Sequence, residues 1–282
     1  MIRASLTSLR GTITPKRRHG PGTPVLTSTA GLVFGTAALL ACTLGASAAF
    51  AAHPLITEDT GTQGQGRFQL ELTAELGSDK ENGVTTRSAA YAAVLTYGLL
   101  DNLDVLLALP YARLRADDAG TSTTVSGIGD VGLDLKWRFY ERSDLSVAAK
   151  VGLSYPSGNE TEGLGSGYWN YSVNLVTSYA DGPWGYHLHL GYWRNRNAVE
   201  EISGIHHASV ALTYQASETW RLVADAGNDT TPDRSSEESR VFLTIGAVAS
   251  LHEDLDLDFG LRQALSAPQT DTTYLLGMAW RF

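Results

Sequence analysis

Cysteine is all but missing: Cys42 is the only one in 282 residues, which excludes a disulfide-stapled scaffold. Charge is sparse as well, at 18% of residues, and leans acidic, with 30 Asp+Glu against 21 Lys+Arg. A chain of that sign repels phosphate, so no nucleic-acid partner is expected. Long apolar runs are confined to residues 29–52, too little for a bundle of spanning helices. What remains is 43% hydrophobic and carries 29 Gly, a composition that is neither disordered nor collagen-like.

Acids are absent before Glu58, whereas five bases (Arg3, Arg10, Lys16, Arg17 and Arg18) precede the apolar run. A basic head, an apolar core at Leu32 to Leu44 and the small-x-small box Ala49-Phe50-Ala51 describe a secretory signal peptide over residues 1–51. Ala46-Ser47-Ala48 is a second cleavage candidate. Leu39-Leu40-Ala41-Cys42 has the form of a lipoprotein box, but the apolar run continues past it to Ala52. Cleavage after Ala51 removes five bases and no acid, leaving 231 residues of charge −14 without cysteine, as suits an oxidising envelope. Residues 52–66 then read as a short N-terminal periplasmic segment ahead of a domain at 67–282.

From Phe68 onward apolar residues recur at every second position, in runs of about ten, which is a strand signal. The cleanest run is Val131, Leu133, Leu135, Trp137 and Phe139, interleaved with Asp130, Gly132, Asp134, Lys136 and Arg138. Such runs number about twelve, give or take two, and alternate between short and long connections as outer-membrane barrels do. Short turns fall at Leu100 to Asn102 and Ala180 to Pro183; long loops are expected at Gly77 to Thr86, Ala116 to Ser126, Ser157 to Gly167, Asn195 to Ser203 and Asn228 to Ser239. Hydrocarbon offers backbone N–H and C=O groups no partner, so a spanning sheet must close on itself. The expected fold is therefore all-β: a closed antiparallel up-and-down transmembrane β-barrel, oily rows outside and ionisable rows around the lumen. Aromatics at run ends, among them Tyr97, Trp137, Trp184 and Trp280, would form girdles at the two interfaces.

The last run, Tyr274-Leu-Leu-Gly-Met-Ala-Trp-Arg-Phe282, resembles the C-terminal assembly signal of Gram-negative outer-membrane proteins. Three further segments, His53 to Glu71, Gly127 to Phe139 and Tyr155-Pro-Ser-Gly158, resemble an outer-membrane transporter-like family labelled phenol meta-pathway degradation protein. The resemblance spans the mature chain and implies a barrel in the cell outer membrane. It also implies transport of a small hydrophobic or aromatic solute, while the C-terminal signal implies recognition of Phe282 by the barrel-assembly machinery, and a barrel in that membrane is expected to meet membrane lipid and lipopolysaccharide. The resemblance carries no catalytic residues.

With oily rows facing lipid, the lumen receives eight acids and seven bases, a nearly balanced set. Twelve residues are the expected lining of a transport path: Asp130, Asp134, Lys136, Arg138, Lys150, His187, His189, Arg221, Asp225, Asp256, Asp258 and Arg262. The same set could instead pair internally and brace a closed barrel. The long loops hold thirteen acids against three bases, including Asp117-Asp118, Glu200-Glu201 and Glu237-Glu238; these read as a hydrophilic cap or as cation holders that bridge to lipopolysaccharide.

His187 and His189 point inward ~6.6 Å apart on one strand. Pairing of the next strand is expected to set Tyr192 opposite His207 and leave His189 roughly 10 Å from it, so no metal site is expected. His207-Ala-Ser209 resembles the His-x-Ser spacing of outer-membrane phospholipase, where the pair faces lipid. Here Ala208, Val210 and Leu212 take the lipid side and turn His207 and Ser209 inward. The expectation is a non-enzymatic passive channel without cofactor. The alternatives are a closed structural or lipopolysaccharide-binding barrel and, last, a membrane-embedded hydrolase.

Overall fold

A computed structural model describes residues 53–81, 84–118, 121–234, 236, 238–266 and 269–282. The signal peptide, with Cys42, and Glu237 lie outside the described residues. Four strands come first: β1 (Phe68–Glu81), β2 (Val84–Leu100), β3 (Leu103–Asp118) and β4 (Thr121–Ile128). Next are β5 (Val131–Arg142), β6 (Leu145–Tyr155), β7 (Asn170–Asp181), β8 (Trp184–Arg194) and β9 (Gly204–Gln215). The last four are β10 (Trp220–Thr230), β11 (Ser239–His252), β12 (Leu255–Ala264) and β13 (Thr272–Arg281).

All pairings are antiparallel, and β13 returns to β1 from Gln69 opposite Arg281 to Ser78 opposite Thr272, which closes the ring. β4 and β5 share β3 as partner, β5 along Leu103 to Ala108 and β4 along Tyr111 to Asp118. They are two halves of one staggered strand broken at Gly129 and Asp130. The ring thus has twelve strands, with β4 as an extra piece that pairs only with β3.

Alternation sets the faces. Along β5, Leu133 and Trp137 are each 51% exposed while Lys136 between them is 6% exposed, so oily residues look out and ionisable ones look in. Ring pairs gather outside at both ends: Trp184 with Tyr214 and Trp280 with Phe282 at the short turns, Tyr155 with Trp169 and Tyr171 with Tyr192 near the long loops. This is the two-girdle pattern of a barrel seated in lipid.

Two expected loops are mostly strand. β1 and β2 continue through Gly77 to Thr86, and β3 and β4 through Ala116 to Ser126. Both hairpins are rich in Thr and Ser and stand beyond the apolar band, where no lipid imposes an oily alternate row. Period two in hydrophobicity therefore stops before the strands do.

The inner face is not uniformly polar. On β2, β3 and β4 the inward residues Val94, Leu106, Ala108, Ala112 and Val125 are apolar and buried. Leu164, from the loop after β6, packs on Ala112 and Val125. The run Leu106-Leu107-Ala108-Leu109, apolar at both parities, carries this signal in the sequence.

Candidate functional site

Residues 53–66 do not hang below the barrel as a periplasmic lead-in; they thread its interior. Starting beside β12 and β13, the segment passes the inner faces of β11, β10, β9, β8 and β6, then leaves at the short-turn end to enter β1. Side chains that a strand ladder cannot use supply its bonds. Asp225 on β10 accepts from Ile56 N at 2.5 Å, Thr57 N at 3.0 Å and Thr57 Oγ1 at 2.6 Å. His53 bonds Asp258 on β12, Thr60 Oγ1 pairs with Ser146 Oγ at 2.5 Å, and Gln63 N donates to Asp104 at 3.1 Å. Leu55 adds an apolar contact with Ala211, Val223 and Val248.

Room for this chain is made by missing side chains. A Cβ on Gly246 would come within 2.7 Å of Pro54 Cγ and 2.6 Å of Phe259 O, and one on Gly260 within 2.8 Å of Pro54 Cβ, so a larger residue at either position would press on the segment.

Charge concentrates at Glu58, 2% exposed. Its carboxylate takes Lys136 Nζ at 3.2 Å on one oxygen and Lys150 Nζ at 2.9 Å on the other. Lys136 also reaches Asp59 at 3.4 Å, and Lys150 reaches Asp134 at 3.5 Å. Two lysines from neighbouring strands would repel each other without Glu58; with it, the cluster is a charge-assisted clamp on the segment.

The twelve expected lining residues divide by role. Asp134, Lys136, Lys150, Asp225 and Asp258 hold or flank the inner segment. His189, fully buried, bonds Asn174 Oδ1 at 3.0 Å and lies 3.4 Å from Glu58 N. Three pair within the wall: Asp256 with Arg281 at 2.7 Å, Arg262 with Glu75, and Arg138 with Glu141 at 3.2 Å. Asp130 sits in the β4/β5 break and accepts from Gly158 N at 3.0 Å, Ser166 N at 2.9 Å and Ser166 Oγ at 2.7 Å, fastening the loop after β6. His187 and Arg221 border a cavity at the short-turn end. Glu58, Thr57 and Leu55 were missed because the segment carries no strand periodicity and makes no contact that a strand ladder would reveal.

The histidine register is one residue from expectation. Tyr192 stands opposite His206, Gly191 opposite His207, and the rings of His189 and His207 meet at 4.6 Å across that glycine. His207 Nε2 lies 2.7 Å from Ser209 Oγ and Nδ1 lies 2.8 Å from Asp229 Oδ1, the order of a Ser-His-Asp triad. Thr57 Oγ1 covers Ser209 Oγ at 2.7 Å, and β9 is paired on both sides, with β8 and β10. The network ties the inner segment to the wall.

Outside the bore, two acidic pairs are already answered. Asp117 meets Arg87 at 2.6 Å and Arg115 at 3.0 Å. Glu201 is folded inward against Asn195 Nδ2 at 3.1 Å, and Arg234 donates to the carbonyls of Glu200 and Glu201. Burial holds the Glu201 carboxyl above its usual range.

Among solved structures, an outer membrane channel from Pseudomonas putida F1 aligns with a TM-score of 0.66 at 16% identity, covering 79% of this chain and 98% of its own. The NanC porin aligns with a TM-score of 0.51 at 10% identity, covering 76% and 98%. At such identities the likeness is one of fold. No curated protein matches the sequence. Residues 54–282, from the first bonds of the inner segment to the terminal phenylalanine, match one family throughout, and the chain belongs to it: the family described as "Putative MetA-pathway of phenol degradation".

Proposed function

We propose that the protein is a passive outer-membrane channel for a small solute, shut in this conformation by its own residues 53–66. The observation that carries this reading is where the lumenal charges go. A barrel braced for its own sake pairs them wall to wall; here Lys136, Lys150, Asp225 and Asp258 each bond to a strandless segment. The inner wall is apolar at Val94, Leu106 and Ala108 on β2 and β3, which supports a hydrophobic or aromatic solute, as does the family's description. Export with cleavage after Ala51, engagement of the assembly machinery by Phe282 and contact with lipopolysaccharide complete the proposal.

Planar-bilayer recording tests it. The intact mature protein is expected to give small or intermittent currents, and a variant lacking residues 53–62 a larger, steady conductance. A silent deletion variant that still forms a heat-resistant barrel would remove the transport reading. It would favour a structural or lipopolysaccharide-binding barrel, to which the wall pairs Arg262 with Glu75 and Arg281 with Asp256 already lend support.

A further inference from the structure

At the short-turn end, beneath the inner segment, lies a cavity of about 320 Å³, at the lower end of the range for small-molecule sites. One side is apolar: Leu55 of the segment with Val223 and Val248 of the wall. The other side carries Arg221, His187 and Thr213 from three adjacent strands, with Thr213 opposite both Val223 and Gly185 in the ladders.

These polar groups are donors. Arg221 makes no hydrogen bond or ion pair among the described residues, whereas the other cations near the segment, Lys136 and Lys150, are paired. Thr60 N donates to Ser178 Oγ at 3.2 Å, and Ser178 Oγ lies 2.8 Å from His187 Nδ1. In the tautomer where Ser178 Oγ both accepts from Thr60 N and donates to Nδ1, the imidazole proton sits on Nε2, on the Gly185 side of the ring. Three acids lie on the lining: Asp59 is engaged by Lys136 and Glu141 by Arg138, while Asp144, in the turn between β5 and β6, makes no ion pair among the described residues. Gly185 keeps the polar side open, since a Cβ there would lie 2.4 Å from Thr213 Oγ1 and 3.2 Å from His187 Nε2.

An unpaired guanidinium, a ring N–H and a hydroxyl facing three aliphatic side chains match one ligand chemistry. We infer that this cavity binds a small amphipathic carboxylate, its acid group on Arg221 and His187 and its chain or ring against Leu55, Val223 and Val248. The inference rests on the channel reading, for which the cavity is the station next to the periplasm. Because Leu55 and Asp59 belong to the inner segment, an occupant touches the obstruction itself.

Titration calorimetry of the refolded mature barrel with hexanoate, benzoate and 1-hexanol tests the inference. Both carboxylates are expected to saturate one site, and hexanol to bind at least about tenfold more weakly. Arg221→Gln is expected to weaken carboxylate binding about tenfold or more, Arg221→Lys to restore part of it, and Gly185→Val to abolish it by filling the site. Heat-modifiable migration on gels checks that each variant is folded; should R221Q fail to fold, G185V carries the test. Absence of carboxylate binding, hexanol binding as tight as hexanoate, or affinity unchanged in the folded variants would overturn the inference. Solute-induced swelling of liposomes holding the variant that lacks residues 53–62, set beside carboxylate binding by the intact barrel, separates the two readings. Binding without swelling upholds the site and removes the channel, whereas swelling without carboxylate binding removes the site and leaves the channel.

Discussion

Glu58 is the residue on which the interior turns. Glu58→Gln leaves Lys136 and Lys150 facing each other in a confined space, and losing one partner of a buried ion cluster costs about 3–5 kcal/mol. The expected result is a raised open probability in bilayers with the barrel itself still heat-resistant. Unchanged currents would show that the clamp does not hold the segment. Glu201 makes a prediction of the opposite kind. Burial raises its folded-state pKa above the ordinary 4.5, so its loop is most stable below that value and loses stability as pH rises through the raised one. Glu201→Gln should therefore flatten the pH dependence of unfolding between acid and neutral pH, read by thermal melts. Neither residue's role could be read from sequence. Glu58 sits in a stretch with no period, and Glu201 looked like one more acid in an acidic loop.

At the scale of elements, the alternating rows are nearly all visible in sequence, because lipid on one side and a wet bore on the other impose opposite demands on successive residues. β5 shows it most clearly. Leu135→Arg would place a cation on the lipid face and is expected to cost about 2–4 kcal/mol in bilayer unfolding experiments, with little effect on conductance. A cost near zero would mean that this row does not meet hydrocarbon. Legibility fails where one of the two demands is lifted. Beyond the apolar band the β1/β2 and β3/β4 hairpins lose the oily row, so they read as loops although they are strands. On β3 both rows are apolar, which hid the greasy part of the lumen at Leu106 and Ala108.

For the whole molecule, closure of β1 on β13 follows from alternation and chain order, but contents of the bore do not. A chain that fills a cavity by side-chain hydrogen bonds leaves no periodic mark. The most direct test of a removable segment uses the absence of cysteine from residues 52–282. Thr57 Oγ1 and Ser209 Oγ lie 2.7 Å apart, close enough for a disulfide once both are replaced by cysteine. Single-channel recording of Thr57→Cys/Ser209→Cys in oxidising and then reducing buffer is expected to show a silent barrel that begins to conduct when the bond is cut. Equal conductance in the two states would contradict an interior segment that controls passage.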